Sequence, residues 1–332
     1  MNQRVVTAMD AQALTFVQGQ SYRINTTVLS AIYPNWNFED LIYVETEGNA
    51  WATGVVTYLS DMTGKAEFVT AAAKDMPLAD VSQDWQLKSF HLAGIGYQFN
   101  LEEVNTALNI VGGALPARRA VAAREAYRKF MWDTTLAGQA EKGMTGVFNN
   151  PLVPATVAPA DGTGGVPYWV NSALVGTKTP AQILRDFNIA VFGTDSATYG
   201  AILANVVLLP DVAYNYIAQT PMNDNSMETI LSFIQRTNLY TQQTGKPIRI
   251  RGMRELRNAG TVGAGAAKGR LVAYNDSPSL LKLHLPMPHQ FLPVHQDGWG
   301  NWVIPGIFRT GGVEFMVTQS AYYLDGISDV PA

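Results

Sequence analysis

Pro116–Lys142 reads Pro-Ala-Arg-Arg-Ala-Val-Ala-Ala-Arg-Glu-Ala-Tyr-Arg-Lys-Phe-Met-Trp-Asp-Thr-Thr-Leu-Ala-Gly-Gln-Ala-Glu-Lys, and after Gly143 the chain continues to Gly146-Val147-Phe148-Asn149. Proline is accepted in a first helical turn, the segment holds a single glycine, and Glu125 precedes Lys129 by one helical repeat. These features predict one helix to Lys142, stopped by Gly143 and about 39 Å long. Arg118, Arg119, Arg124, Arg128 and Lys129 make it locally basic. That is either a solvated face or a contact surface for acidic groups of a neighbouring subunit or for a phosphate backbone.

Upstream, Leu101, Val104, Leu108 and Val111 recur at spacings of three and four, which predicts a second helix broken at Gly112-Gly113. Before it, Ala52–Leu59 and Lys65–Ala72 flank the turn-rich Ser60–Gly64. This predicts a β-hairpin reaching about 26 Å, too thin to be stable without something to lie on. Residues 1–49 show weak periodicity with scattered aromatics and read as an extended arm. Their Asn25-Thr26-Thr27 is a chance match to a glycosylation acceptor.

Downstream, prolines 151, 154, 159 and 167 with interspersed glycines mark a long loop and a domain junction. Thr179-Pro180-Ala181-Gln182 combines a capping threonine, a first-turn proline and a glutamine three residues on, and opens a helix to about Phe192. Asn205–Leu209 is an apolar strand ending at Pro210. Helices near Val212–Gln219 and Met227–Thr237, the latter capped by Asn225 or Ser226, precede strands at Pro247–Arg251, Arg270–Tyr274 and Leu280–Leu285. Trp302–Arg309 and Gly312–Tyr323 read as a second hairpin around Thr310-Gly311. Helices and strands alternate without a regular βαβ repeat, so the class is α+β.

The 332 residues carry 23 basic and 27 acidic side chains, a net charge of −4, and no cysteine. Disulfides, thiolate metal sites and cysteine nucleophiles are excluded. No apolar run approaches the ~20 residues of a membrane span, and no secretory signal or basic nucleic-acid stripe is visible. Charged residues are 15% of the chain, against roughly 25% in ordinary soluble domains. A surface so poor in charge suggests coverage by partner subunits.

Catalytic motifs are scarce. The glycine-rich Gly260–Gly269 matches neither phosphate-cradle pattern and reads as a mobile loop between strands. His284, His289 and His295 are the candidate ligands for a metal-dependent enzyme, yet they lie among prolines without helical ligand spacing. No serine-nucleophile elbow occurs, and acidic pairs such as Glu102 and Glu103 are simple neighbours.

The order of segments resembles tailed-bacteriophage major capsid proteins of the Hong Kong 97-type fold, along most of the chain. The phrases Gly146-Val147-Phe148-Asn149, Val207-Leu208-Leu209-Pro210 and Arg309-Thr310-Gly311-Gly312-Val313-Glu314 are similar to those of phage and prophage capsids and of encapsulin shells. The resemblance implies an N-terminal arm (1–44), an E-loop hairpin (45–83) and a P-domain (84–178) with a spine helix at 116–142. It further implies an A-domain (179–275) and return strands to the A- and P-domains (276–332).

The implied function is a non-enzymatic major capsid protein without cofactor or metal. Copies would assemble into hexamers and pentamers of an icosahedral shell enclosing double-stranded DNA without sequence-specific binding. Portal, scaffolding and decoration proteins are the implied partners, in a virion capsid built in host bacterial cytoplasm, with no membrane. On this reading Val55, Val56, Tyr58, Phe68 and Val69 of the E-loop make contacts between subunits. Arg118, Arg119, Arg124 and Arg128 make spine-helix charged contacts, and Gly263, Gly265 and Gly269 lie in an axial loop of the A-domain. The alternative from the same fold is an encapsulin-type nanocompartment loaded with an enzyme cargo; the alternative from another class is the histidine-metal enzyme.

Overall fold

Val206–Pro210 is buried at all five positions, the pattern of a strand covered on both faces. In the computed structural model, which describes residues 34–64, 78–108, 115–223 and 227–331, this strand is near the middle of a five-stranded sheet. It pairs in parallel with Arg249–Met253 and antiparallel with Arg270–Tyr274. Beyond the latter come Ala321–Asp325, antiparallel, and the short parallel strand Ala155–Val157.

Alternation along these strands divides the interior in two. Val206, Leu208, Val272, Tyr274 and Tyr323 face one core. Val207, Leu209, Leu271, Ala273 and Leu324 face the other. Helix Pro180–Ala197 covers the second core with Asp211–Gln219 and Ile230–Thr237, supplying Ile183, Phe187, Ile217, Ile230 and Ile234. The predicted capping box is present, Thr179 and Gln182 each satisfying the other's backbone N–H.

The first core is closed by the long helix, Leu115–Ala137. Its Met131 and Leu136 are fully buried, and Tyr127 and Phe130 meet the Phe308 ring edge-on at 4.8 and 5.4 Å. Three small sheets complete this half: Tyr43–Glu45 with Leu281–His284 and Gly312–Phe315, Met287–Phe291 with Gly306–Thr310 and His91–Gly94, and His295–Gln296 with Asn301–Ile304 and Tyr97–Asn100. The chain segment before the first of them is pinned by the Tyr274 hydroxyl, which donates to the Leu41 carbonyl at 2.7 Å.

The helix ends five residues earlier than the sequence suggests. Gly138 takes a left-handed φ of +72°, turns the chain into a two-residue ladder with Met144–Thr145, and leaves Ala140–Lys142 as one 3-10 turn. Gly146–Asn149 then folds back as the cap. The amides of Val147 and Phe148 donate to the carbonyls of Thr135 and Leu136, and Asn149 Nδ2 donates to that of Ala137. Three carbonyls a helix end would otherwise leave unpaired are thereby satisfied.

A β-carbon at Gly138 would lie 2.2 Å from the Met144 carbonyl oxygen, whereas one at Gly143, φ +66°, would meet nothing within 4 Å. Gly138→Ala is therefore expected to cost more than about 2 kcal/mol, and Gly143→Ala about 1 kcal/mol, the left-handed penalty alone. Denaturant unfolding midpoints of the two variants give the comparison.

Four other expectations need correction. The hairpin's return arm is Asp80–Ser89, not Lys65–Ala72, and its outgoing strand runs through Ser60 to Thr63; residues 65–77 lie outside the described set. Gly306–Thr310 and Gly312–Phe315 do not pair with each other, because Gly311 and Gly312 carry the chain from one small sheet to another. The helix expected from Met227 begins at Ile230 under a Thr229 cap. The stretch after Gly146 is more than a loop, since it contributes a strand to the central sheet and the fully buried Trp169.

Candidate assembly surface

The ribbon formed by Gly54–Thr63 and Asp80–Ser89 is ten residues long on each side. Directly opposed residues share a face in an antiparallel pair, so Val56 with Leu87, Tyr58 with Trp85 and Met62 with Val81 form one apolar stripe. Nothing among the described residues covers it. Tyr58 is 78% exposed, Met62 81% and Trp85 62%. Two-stranded ribbons are marginal in isolation, and an exposed apolar face of this kind, interrupted only by the Ser60–Gln83 pair, marks a contact surface.

The opposite face carries Val55 with Lys88, Thr57 with Gln86, and Leu59 with Asp84. Val55, half-buried, and Val56 therefore lie on opposite faces of the ribbon. Phe68 and Val69 lie outside the described residues. Sequence reading missed Met62, Val81, Trp85 and Leu87, although the alternation Val81, Gln83, Trp85, Leu87 was visible. The ribbon's last rung is the Phe90 amide donating to the Thr53 carbonyl at 2.9 Å, and at this base Lys88 Nζ ties the ribbon to the body by donating to the Val313 carbonyl at 3.0 Å.

The helix arginines divide by role. Arg119 is used within the chain, as a fork on Glu103 at 3.0 Å and a donor to the Gln98 carbonyl. That pairing holds the Glu103 carboxyl below its ordinary range. Arg124 sits over the Phe291 ring at 5.7 Å and remains exposed, as do Arg118 and Arg128.

Gly260–Gly269 is an ordered cap over one end of the central sheet, not a free loop. A β-carbon at Gly265 would lie 2.5 Å from that of Asp325, and one at Gly269 2.2 Å from Ser328 Oγ. These glycines are required by close approach within the chain, and Gly263 adds a φ of +48°. Beneath the cap, Arg270 is 1% exposed and Asp325 is fully buried. Arg270 forks onto Asp325 at 2.6 and 2.8 Å and donates to the Phe148 carbonyl and to Thr261. Asp325 also accepts from the amides of Thr261 and Val262. The Tyr323 ring lies under the guanidinium at 4.5 Å. One ion pair thus fastens the helix cap, the central sheet and the loop together.

The three histidines occupy three separate places. His284 is buried between Glu45 and Glu314. His289 stacks on Tyr127 with ring centroids 5.0 Å apart and contacts the Ile95 carbonyl. His295 is exposed on the small outer sheet. Among the described residues no cluster of His, Asp and Glu could hold a metal ion. In the other half, the buried Lys178 meets Asp186 at 2.5 Å and Asp161 at 3.3 Å. Asp161, bridged chiefly by Arg185, is pulled down to about 2. An open cleft lined by Glu39, Asp40, Arg249, Arg251 and Asp276 has its charges set against one another, Arg249 on Asp276 and Arg251 toward Asp40.

A family model described as major capsid protein matches residues 64–327. No curated protein sequence matches the chain. Among solved structures, the capsid of Myoviridae phage XM1 is similar, with a TM-score of 0.74 and 17% identity over 93% of this chain and 97% of that one. Structures of Gordonia phage Cozz (TM-score 0.55, 12% identity, 92% and 90% covered) and Mycobacterium phage Che8 (0.52, 12%, 91% and 96%) are also similar. These likenesses establish the Hong Kong 97-type fold, and the family match favours a phage capsid over the encapsulin alternative. Among the described residues no helix is long and apolar enough to cross a membrane.

Proposed function

This chain belongs to the major capsid protein family, a structural and non-enzymatic shell subunit, and from that premise we propose that its copies form hexamers and pentamers of an icosahedral shell around double-stranded DNA, each laying its ribbon on a neighbour. The ribbon is then the family's E-loop. The long helix is the spine of the P-domain, and the central sheet with its helices is the A-domain.

The exposed stripe of Val56, Tyr58, Met62, Val81, Trp85 and Leu87 carries the reading. Burying six such side chains yields roughly 6–10 kcal/mol before the costs of association, enough to matter once repeated around a closed assembly. Exposed Arg118 and Arg128 would meet acidic groups of an adjacent subunit or DNA phosphates. Portal, scaffolding and decoration proteins are the further partners, and assembly takes place in the bacterial cytoplasm.

Because the chain has no cysteine, single-cysteine variants give a clean test. Met62→Cys is expected to react with maleimide in unassembled subunits and to be protected at least about tenfold in purified shells. Lys246→Cys, on an exposed turn, serves as a control for access to the A-domain. Equal reactivity of Cys at position 62 in both states would overturn the ribbon's placement on a neighbour.

A further inference from the structure

The sheet of Tyr43–Glu45, Leu281–His284 and Gly312–Phe315 is two-faced. Val44, Leu281, Leu283, Val313 and Phe315 belong to the core, while Glu45, Lys282, His284 and Glu314 face the other way. His284 is 3% exposed at its side chain, with Nδ1 2.8 Å from Glu45 Oε2 and Nε2 2.6 Å from Glu314 Oε2. Lys282 Nζ holds the other Glu45 oxygen at 3.0 Å. From the ribbon, Lys88 brings its ammonium into the field of Glu314, and the Phe90 ring lies 5.6 Å from the imidazole. Glu45, Lys282, Glu314 and Lys88 are the charged groups facing this ring among the described residues.

A neutral imidazole has one N–H, so it can donate to only one of two ionised carboxylates. Both short contacts form together when the site holds one more proton. Glu314 Oε1 is buried without a hydrogen-bond partner, so losing the Nε2 contact leaves that carboxylate stranded, with only the charges of Lys88 and of the cross-strand Lys282 to offset it.

We propose that His284 is a proton-operated clasp: as imidazolium it ties the strand leading into the ribbon to Gly312–Phe315, and loss of its proton to water releases one carboxylate and loosens the ribbon's base. The clasp is internal to the subunit and stands independently of the shell reading. Its sign follows directly. The tie is complete while the site holds its extra proton and is lost when rising pH removes it.

Hydrogen exchange of the full-length chain, corrected for the intrinsic pH dependence of exchange, tests this between pH 5.5 and 8.5. Protection of Tyr43–Glu45 and of Ser89–Phe90 is expected to fall about tenfold across the range while Val206–Pro210 stays constant. In Glu314→Gln, which keeps an acceptor but removes a charge, the midpoint moves to lower pH; in His284→Gln the pH dependence disappears. Constant protection at Tyr43–Glu45 in the unmodified chain overturns the proposal, as does a midpoint unmoved in Glu314→Gln. The first two measurements suffice if His284→Gln does not fold.

Discussion

A chain carrying Tyr58→Thr and Trp85→Thr is expected to fold normally and to fail to build shells. The two side chains oppose each other across the ribbon and point away from both cores. Threonine keeps the strand preference, so the melting midpoint should move by no more than about 2 °C. Assembly is another matter. Aromatic anchors at the centre of an interface are worth about 2 kcal/mol or more each. Two of them would remove on the order of a thousandfold from each contact, and on the proposed arrangement every subunit makes it. Sedimentation and negative-stain microscopy read the result directly, with Gln86→Thr on the opposite ribbon face as the control. Normal shells from the double variant would refute the assignment of this face.

Asp325→Ala is expected to have the largest effect on the subunit itself. It leaves the Arg270 guanidinium buried and unpaired and orphans the amides of Thr261 and Val262 at once. Breaking one side of a buried ion pair costs about 3–5 kcal/mol, a large part of the stability of an ordinary domain. Most of the protein should then appear in the insoluble fraction, and any soluble remainder should unfold at markedly lower denaturant. Arg270→Met combined with Asp325→Leu should recover part of the loss, because no charge is stranded, but not all, because the two loop amides stay unpaired. A single variant as stable as the parent would show that the pair is not the fastening described above.

Much of this architecture is legible along the chain where local chemistry is strong. Val206–Pro210 announces itself by continuous apolar character and Arg270–Tyr274 by an apolar run after its arginine, and Thr179 with Gln182 marks a helix start that the structure reproduces. The errors share a cause: a local preference overridden by a distant partner. Lys65–Ala72 has the better strand composition, yet Asp80–Ser89 forms the ribbon, because alternation at Val81, Trp85 and Leu87 fits the pleat opposite Gly54–Thr63.

Ala140–Lys142 looks helical, but the backbone has already turned at Gly138. Gly260–Gly269 looks loose because its ligand, Asp325, lies more than fifty residues away. No spacing rule connects Arg270 to Asp325, or His284 to Glu45, so neither cluster could be read before the strands were placed side by side. The ribbon residues were half legible: Val56 and Tyr58 are on the exposed stripe, and Val55 is on its reverse.

The central sheet is buried on both sides, on one by the core that the long helix closes and on the other by three shorter helices. Mechanically it has no slack face on which layers could slide, so a load applied to the subunit is passed on with little internal deformation. The ribbon is the opposite, a two-strand lever joined to the body at its foot, where Lys88 bonds the Val313 carbonyl. Among the described residues, compliance is therefore concentrated at that foot. If neighbouring subunits must meet at more than one angle, the bending belongs at that foot, and a tile of fixed shape can follow surfaces of differing curvature.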